Sequence, residues 1–330
     1  MKIVLITPEG PTSRTGNKVS ASRWADILRK LGHRVRINSD YDGRPADLMV
    51  AVHAWRSAKS IERFKARYPE RPLILQLSGT DIYEYLESEP EPTLRSMEAA
   101  DRMVALNDLA WRKVPRRLRN RVVFIPQSAI APAKRRPSRR AVVVSVIGHL
   151  RDVKDPLRAA EAARLLPARS RVEIEQVGRA YTDAWADRAR AEVAANSRYT
   201  WRGDVPAGAV RRLLARSHAM VISSLSEGGA NVISEAAAAG VPILASRMDG
   251  NVGLLGADYP GYFPVGGTQA LSRLLRRLEG DPKFVRQLNK AVAARAALFQ
   301  PRHEQAAWRR LLADFSSSPP PRSARARRRR

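Results

Sequence analysis

Short runs of apolar residues, each closed by a glycine, a proline or a small polar cluster, recur along the whole chain. Residues 2–7, 34–37, 48–52, 73–77, 103–106 and 122–125 read as six buried strands. Between them lie stretches of helical period. Trp24, Ile27, Leu28 and Leu31 stand at i, i+3, i+4 and i+7, and a second helix is expected over 55–68. Strands alternating with helices predict a parallel sheet covered on both faces. Residues 126–140 turn to Pro, Ala and Lys/Arg and mark a linker. A second series follows, with strands at 141–147, 172–177, 199–201, 220–223 and 243–246. Leu271, Leu274, Leu275 and Leu278 make a core-facing helical stripe, and Trp308, Leu311, Leu312 and Phe315 repeat that spacing in a last helix. The expected fold is α/β, with two Rossmann-like, doubly wound parallel-sheet domains facing across a cleft. The expected bounds are 1–133, 134–300, a final helix 301–315, and a disordered basic tail 316–330.

A chain of 330 residues accommodates two such domains, and 44% apolar content fills both cores. No apolar run is long enough to span a bilayer, and Met1-Lys2 leads straight into a strand. Neither a membrane segment nor a signal peptide is expected, which places the chain in the cytoplasm. Cysteine is absent and the five histidines lack ligand spacing, so no disulfide and no protein-bound metal is expected. Charge changes the picture more: 59 basic against 32 acidic residues leave +27. Arg322, Arg325 and Arg327 to Arg330 crowd the tail, and the other basic residues share helix faces with acids. No nucleic-acid motif with interleaved aromatics accompanies them, so nucleic acid is not an expected partner. The surplus instead concentrates anionic substrates in a cleft.

The densest chemistry lies in Ser226-Glu227-Gly228-Gly229-Ala230-Asn231-Val232-Ile233-Ser234-Glu235. It follows a buried strand and opens a helix. Gly228-Gly229 bring bare backbone N–H groups to a helix N-terminus, where anions bind. Carboxylates beside an anion site are awkward unless hydroxyls donate to them. Glu227 and Glu235 therefore suggest a nucleotide sugar, against the plainer alternative of a turn with solvated glutamates. A second glycine loop, residues 250–256, leaves the next strand. The opening strand–loop–helix holds only Gly10 and Gly16 and lacks the dinucleotide fingerprint, so no nicotinamide cofactor is expected. His53 ends one strand at the crevice edge, within reach of a phosphate or a sugar hydroxyl. Thr80-Asp81 either caps a helix or contacts substrate. Arg151 and Lys154 follow the strand at 141–147 and stand where a diphosphate would be neutralised.

The assembled pattern resembles two-domain GT-B glycosyltransferases of the large retaining group, family 4, over residues 1 to about 315. Its specific element is Glu, seven residues, Glu, here Glu227 to Glu235. The resemblance implies that Glu235 holds the ribose of the nucleotide. It implies that Glu227, with Gly229 and Ala230, holds the donor sugar, and Gly228 and Asn231 complete the expected donor-binding set. The family's Gly-Arg-Leu-x-x-x-Lys pattern falls on Gly148-His149-Leu150 and Lys154; His149 replaces the arginine, leaving open whether Arg151 takes its place. Gly16 and Asn17 resemble the family's loop near the phosphates, and His53 its histidine near the donor sugar. Glu227, Lys154 and His53 are the implied catalytic residues. The last helix is expected to cross back to the first domain, which takes the acceptor, while the second takes the UDP-sugar.

A narrower resemblance is to selenosugar synthases of the selenoneine pathway. It is carried by Gly16-Asn17-Lys18-Val19, Ser78-Gly79-Thr80-Asp81-Ile82-Tyr83, Gly148-His149-Leu150-Arg151 with Lys154-Asp155-Pro156-Leu157, and the stretch 250–263. It implies transfer from a UDP-sugar, typically UDP-N-acetylglucosamine, to selenophosphate, with no cofactor beyond the donor. Selenophosphate is already anionic, so the attacking selenium needs no general base. Lys18, Thr80, Asp81, Arg247 and Asn251 are the candidate acceptor contacts. Two rivals stand beside this reading: an ordinary family 4 enzyme making an O-glycoside, and a non-enzymatic anion or nucleic-acid binder using the basic surplus.

Overall fold

The computed structural model describes residues 1–8, 16–130 and 135–316. The expected tail beyond 316, most of the first glycine-containing loop and the middle of the expected linker lie outside these residues.

Among the described residues, twelve strands form two sheets. The first holds β1 (Lys2–Ile6), β2 (Arg34–Asn38), β3 (Leu48–Val52), β4 (Leu73–Gln76), β5 (Arg102–Ala105) and β6 (Val122–Phe124). The second holds β7 (Val142–Ile147), β8 (Val172–Val177), β9 (Tyr199–Trp201), β10 (Ala219–Ile222), β11 (Ile243–Ser246) and β12 (Tyr262–Phe263). Their orders are β2-β1-β3-β4-β5-β6 and β12-β11-β10-β7-β8-β9, with every pairing parallel. β12 falls outside the strands expected from sequence. Two residues at a sheet edge carry no period to read.

Parallel pairing sends all strand ends of a sheet to one edge, and the order reverses between β1 and β3 and between β7 and β10. Loops diverge at such switch points and leave a crevice. The loops after β7 and β10, which carry Lys154 and Glu227, flank the second of them.

Alternation along the strands builds the cores. Val4, Ile6, Met49 and Ala51 face one layer of the first sheet, and Ile3, Leu5, Leu48 and Val50 the other. The last helix, Pro301–Ser316, completes that second layer: Trp308, Leu311 and Leu312 join Trp24, whose ring lies edge-on to Trp308 at 5.0 Å. Phe299, just before this helix, belongs instead to the core of the second sheet. The chain therefore crosses between lobes within a few residues. It does so beside the outgoing segment, where the Ala129 N–H donates to Phe299 O at 3.0 Å. Among the described residues no helix is long and apolar enough to cross a membrane.

Candidate active site

The loop after β10 is anchored to the loop after β7. Ser223 Oγ donates to the carbonyls of Lys154 (3.2 Å) and Asp155 (2.8 Å), and the Leu225 N–H donates to Val153 O at 2.9 Å. This docking delivers the Lys154 ammonium to the Glu227 carboxylate, which is 9% exposed and also accepts from Ser224 Oγ at 2.7 Å. A cation and an anion expected to contact two different parts of one ligand are thus each other's partner.

From this loop starts the helix Asn231–Ala238, with Ala230 before it and no side chain capping its N–H groups. Gly16, the first residue of the helix Gly16–Lys30, lies against it: a Cβ on Gly16 would stand 3.6 Å from Asn231 Nδ2. Neither helix has an acidic residue in its first turn. Two helix N-termini, one from each lobe, therefore converge with their partial positive charge uncancelled. Arg23, from the first helix, donates to Asn231 Oδ1 at 3.3 Å. One turn into the second helix, the carboxylate of the half-buried Glu235 has no hydrogen bond or ion pair to any described residue. Burial pushes its carboxyl up, and the charges of Arg23 and Arg211 offset this only in part. An acceptor this expensive to leave unpaired suits a ligand that donates from hydroxyls.

The lobes meet backbone to backbone at this loop. Any Cβ on Gly228 would run into the Gly79 backbone after β4, and one on Gly250 into Glu227 O. Asn107 Nδ2, after β5, donates to Gly228 O at 2.8 Å. Gly229, at φ +149°, faces Leu106. Backbone cannot yield as a flexible side chain does, so Gly228→Ala is expected to hold the lobes apart. The expected readouts are a larger radius of gyration by small-angle scattering and roughly 100-fold slower transfer from misplaced groups. An unchanged radius with full turnover would refute this.

On the first lobe, His53 stands at φ +77° and is 1% exposed. Its Nδ1 is 2.7 Å from Asp81 Oδ1 and its Nε2 3.0 Å from Thr80 Oγ1. Asp81 also accepts from the N–H groups of Ala54, Trp55 and Ser78. Such an acceptor requires Nδ1 to bring the hydrogen, leaving Nε2 to accept from Thr80. Asp81, expected at the acceptor, is instead fully buried, with its donors on the loops after β3 and β4. Asn251, also expected at the acceptor, is fully buried, and its Nδ2 donates to Ser246 O at 2.9 Å. Arg247, expected at the acceptor, donates to Ala257 O at 3.2 Å beside the Tyr262 ring. Lys18 is half-buried near the start of the first helix, where Asn17 Oδ1 accepts from Ser78 Oγ at 3.2 Å. His149 adds no charge, since burial and then Arg179 push its pKa down. Arg151 lies over the Tyr181 ring at 5.6 Å.

Three site residues escaped the sequence reading. Glu304, fully buried on the last helix, accepts from Arg23 Nε at 3.0 Å, Trp24 Nε1 at 2.7 Å and the Ser128 N–H at 2.9 Å. Arg23 passes that anchor on to Asn231. The Tyr83 hydroxyl is buried without a partner, and burial, Asp249 and Glu227 push it up to about 12, so it remains a neutral donor. Only Tyr83 had a signal, its place in the stretch after β4.

The family described as "Glycosyl transferases group 1" matches residues 127–295. A Xenopus tropicalis protein named glycosyltransferase 1 domain-containing protein 1 is 24% identical over 303 residues, covering 84% of this chain and 87% of that protein. Among solved structures, sucrose-phosphate synthase from Thermosynechococcus elongatus superposes with a TM-score of 0.77 at 16% identity, covering 96% of this chain and 100% of the other. Anabaena HepE in complex with UDP and glucose gives 0.74 at 15% identity, covering 95% and 100%.

Proposed function

We propose, from the premise that this chain belongs to the group 1 glycosyl transferases and has their GT-B fold, that it transfers the sugar of a UDP-sugar to selenophosphate. The observation that carries the donor half is Glu235, a carboxylate without a partner among the described residues, one turn inside a helix whose start meets a second helix N-terminus. In this reading Glu235 accepts from the ribose hydroxyls. The diphosphate lies at the two helix starts with Lys154 beside it, and Glu227 accepts from sugar hydroxyls as Lys154 turns to the phosphate. That Anabaena HepE holds UDP with glucose supports UDP as the nucleotide. The first lobe takes the acceptor and the second the donor, in the cytoplasm.

The acceptor half rests on the selenosugar-synthase resemblance of the stretches around Asn17, Thr80, Lys154 and Asn251. The bond from the sugar's C1 to the UDP oxygen breaks, and its electron pair leaves with UDP. A selenium lone pair forms the C1–Se bond. Water then cleaves Se–P, giving phosphate and the 1-selenosugar. The chain's contribution is positive charge and N–H dipoles at the departing diphosphate. UDP-N-acetylglucosamine is the donor to test.

A second reading has its own observation. The His53–Asp81 pair has the geometry of a base held by a carboxylate, which an ordinary hydroxyl acceptor needs for its proton. The purified protein with UDP-N-acetylglucosamine, with and without selenophosphate, separates the two. The proposal expects selenophosphate-dependent UDP release and a product with the mass of a selenium-bearing sugar. UDP release indifferent to selenophosphate removes it and leaves the O-glycoside reading.

A further inference from the structure

A cavity of about 540 Å³ lies elsewhere, between the 3-10 turn Ala110–Lys113 after β5 and the helix Asp249–Leu255 after β11. Neither Lys154, Glu227, Gly229 nor Glu235 lines it. Its size fits a small ligand. Arg112 and Asp108 enter from the first lobe, and Arg247, Arg295 and Asp249 from the second. Three guanidiniums and two carboxylates thus share one space, yet no acid among the described residues forms an ion pair with any of the three arginines. Two of the arginines are fixed by neutral partners instead. Arg295 Nε donates to Leu254 O at 2.9 Å, and Arg247 is held by Ala257 O and the Tyr262 ring 5.2 Å from its guanidinium carbon. Such anchoring uses one N–H of each fork and orients the rest, which lowers the entropy lost when an anion binds.

We propose that this cavity is a second ligand site, taking a small polyhydroxylated phosphate. The cations exceed the acids by one, which demands an anion. Guanidinium forks match phosphate oxygens in pairs. Asp108 and Asp249, which would repel a bare phosphate, become useful only if the same molecule donates hydroxyls to them. Because the cations come from both lobes, the ligand bridges them and favours their closed arrangement. Nothing in this inference requires UDP to bind.

The test is calorimetric titration of the full chain at constant ionic strength with glycerol 3-phosphate, inorganic phosphate and glycerol. Constant ionic strength matters because a +27 chain attracts any anion. Glycerol 3-phosphate is expected to bind more tightly than phosphate, and glycerol not at all. Arg112→Ala and Arg247→Ala, both at exposed side chains, are expected to weaken it tenfold or more, while Lys154→Ala leaves it unchanged. Asp249→Asn is expected to act in opposite directions, tightening phosphate and weakening glycerol 3-phosphate. The site is overturned by no binding, by loss in Lys154→Ala with the arginine variants intact, or by equal weakening in all three cation variants.

Discussion

Glu235→Gln is expected to weaken donor use at least tenfold and to stabilise the protein measured without donor. Each hydrogen bond from a ribose hydroxyl to a carboxylate contributes on the order of 10–100-fold in affinity. A glutamine keeps one accepting oxygen and loses the charge. The expected fall in kcat/KM for the UDP-sugar is therefore at least tenfold for Glu235→Gln and roughly 100-fold or more for Glu235→Ala. The stability effect has the opposite sign because burial raises the Glu235 pKa. Below the ordinary carboxyl range the group is protonated folded and unfolded, and contributes nothing. As pH rises through that range the unfolded chain ionises first, so stability falls until the raised folded pKa is passed. At neutral pH the whole penalty is present, and Glu235→Gln removes it. Thermal unfolding without donor should show the variant melting roughly 1–3 °C higher near pH 7 and equal to wild type well below pH 4. Saturating UDP should then stabilise wild type more than the variant. A variant that melts lower at neutral pH while retaining donor affinity would show that Glu235 is structural.

The largest loss of stability is expected from Glu304→Ala. This carboxylate takes Arg23, Trp24 and Ser128 together, at the point where the chain returns to the first lobe. Its removal leaves a part-buried guanidinium, an indole N–H and a backbone N–H without their acceptor. Breaking such a cluster from one side costs about 3–5 kcal/mol. Urea unfolding followed by tryptophan fluorescence should show a large fall in midpoint, with Trp24 and Trp308 as local reporters. Glu304→Gln should be intermediate, since its amide keeps one acceptor but turns an N–H₂ toward donors. The donor site should feel the change, because Arg23 links Glu304 to Asn231. A milder variant is therefore expected to raise the donor KM even though residue 304 lies outside the proposed donor site. A Glu304→Ala protein within 1 kcal/mol of wild type would remove this account.

Much of the fold was legible because it is local. The apolar runs that became β1, β3, β4, β7, β8, β10 and β11 are bounded by glycine, proline and small polar residues, and strand–helix alternation leaves a parallel sheet as the economical solution. The last helix was legible from Trp308, Leu311 and Leu312 at helical spacing. Glu227, Gly228, Gly229 and Glu235 were legible as a group because one contiguous stretch holds them. Their chemistry needs only a strand before and a helix after.

Tertiary structure decided which distant residues complete them, since sequence spacing carries no signal for contacts between separate elements. Gly228 reads as a glycine that brings its N–H to an anion, and only the packed lobes show that neither Gly79 nor Gly228 has room for a Cβ. Nothing in its spacing singles out Glu304, but the turn after Phe299 carries it beneath Arg23 and Trp24. Asp81 reads as a cap or a substrate contact, but the adjacency of β3 and β4 brings Ala54, Trp55 and His53 to its carboxylate and buries it. Arg247 reads as a crevice cation, but its link to Ala257 and Tyr262 points it into another cavity. Periodicity records which face of an element is apolar. It does not record which other element covers that face, and it is this that determines whether a polar side chain there is solvated, structural or functional.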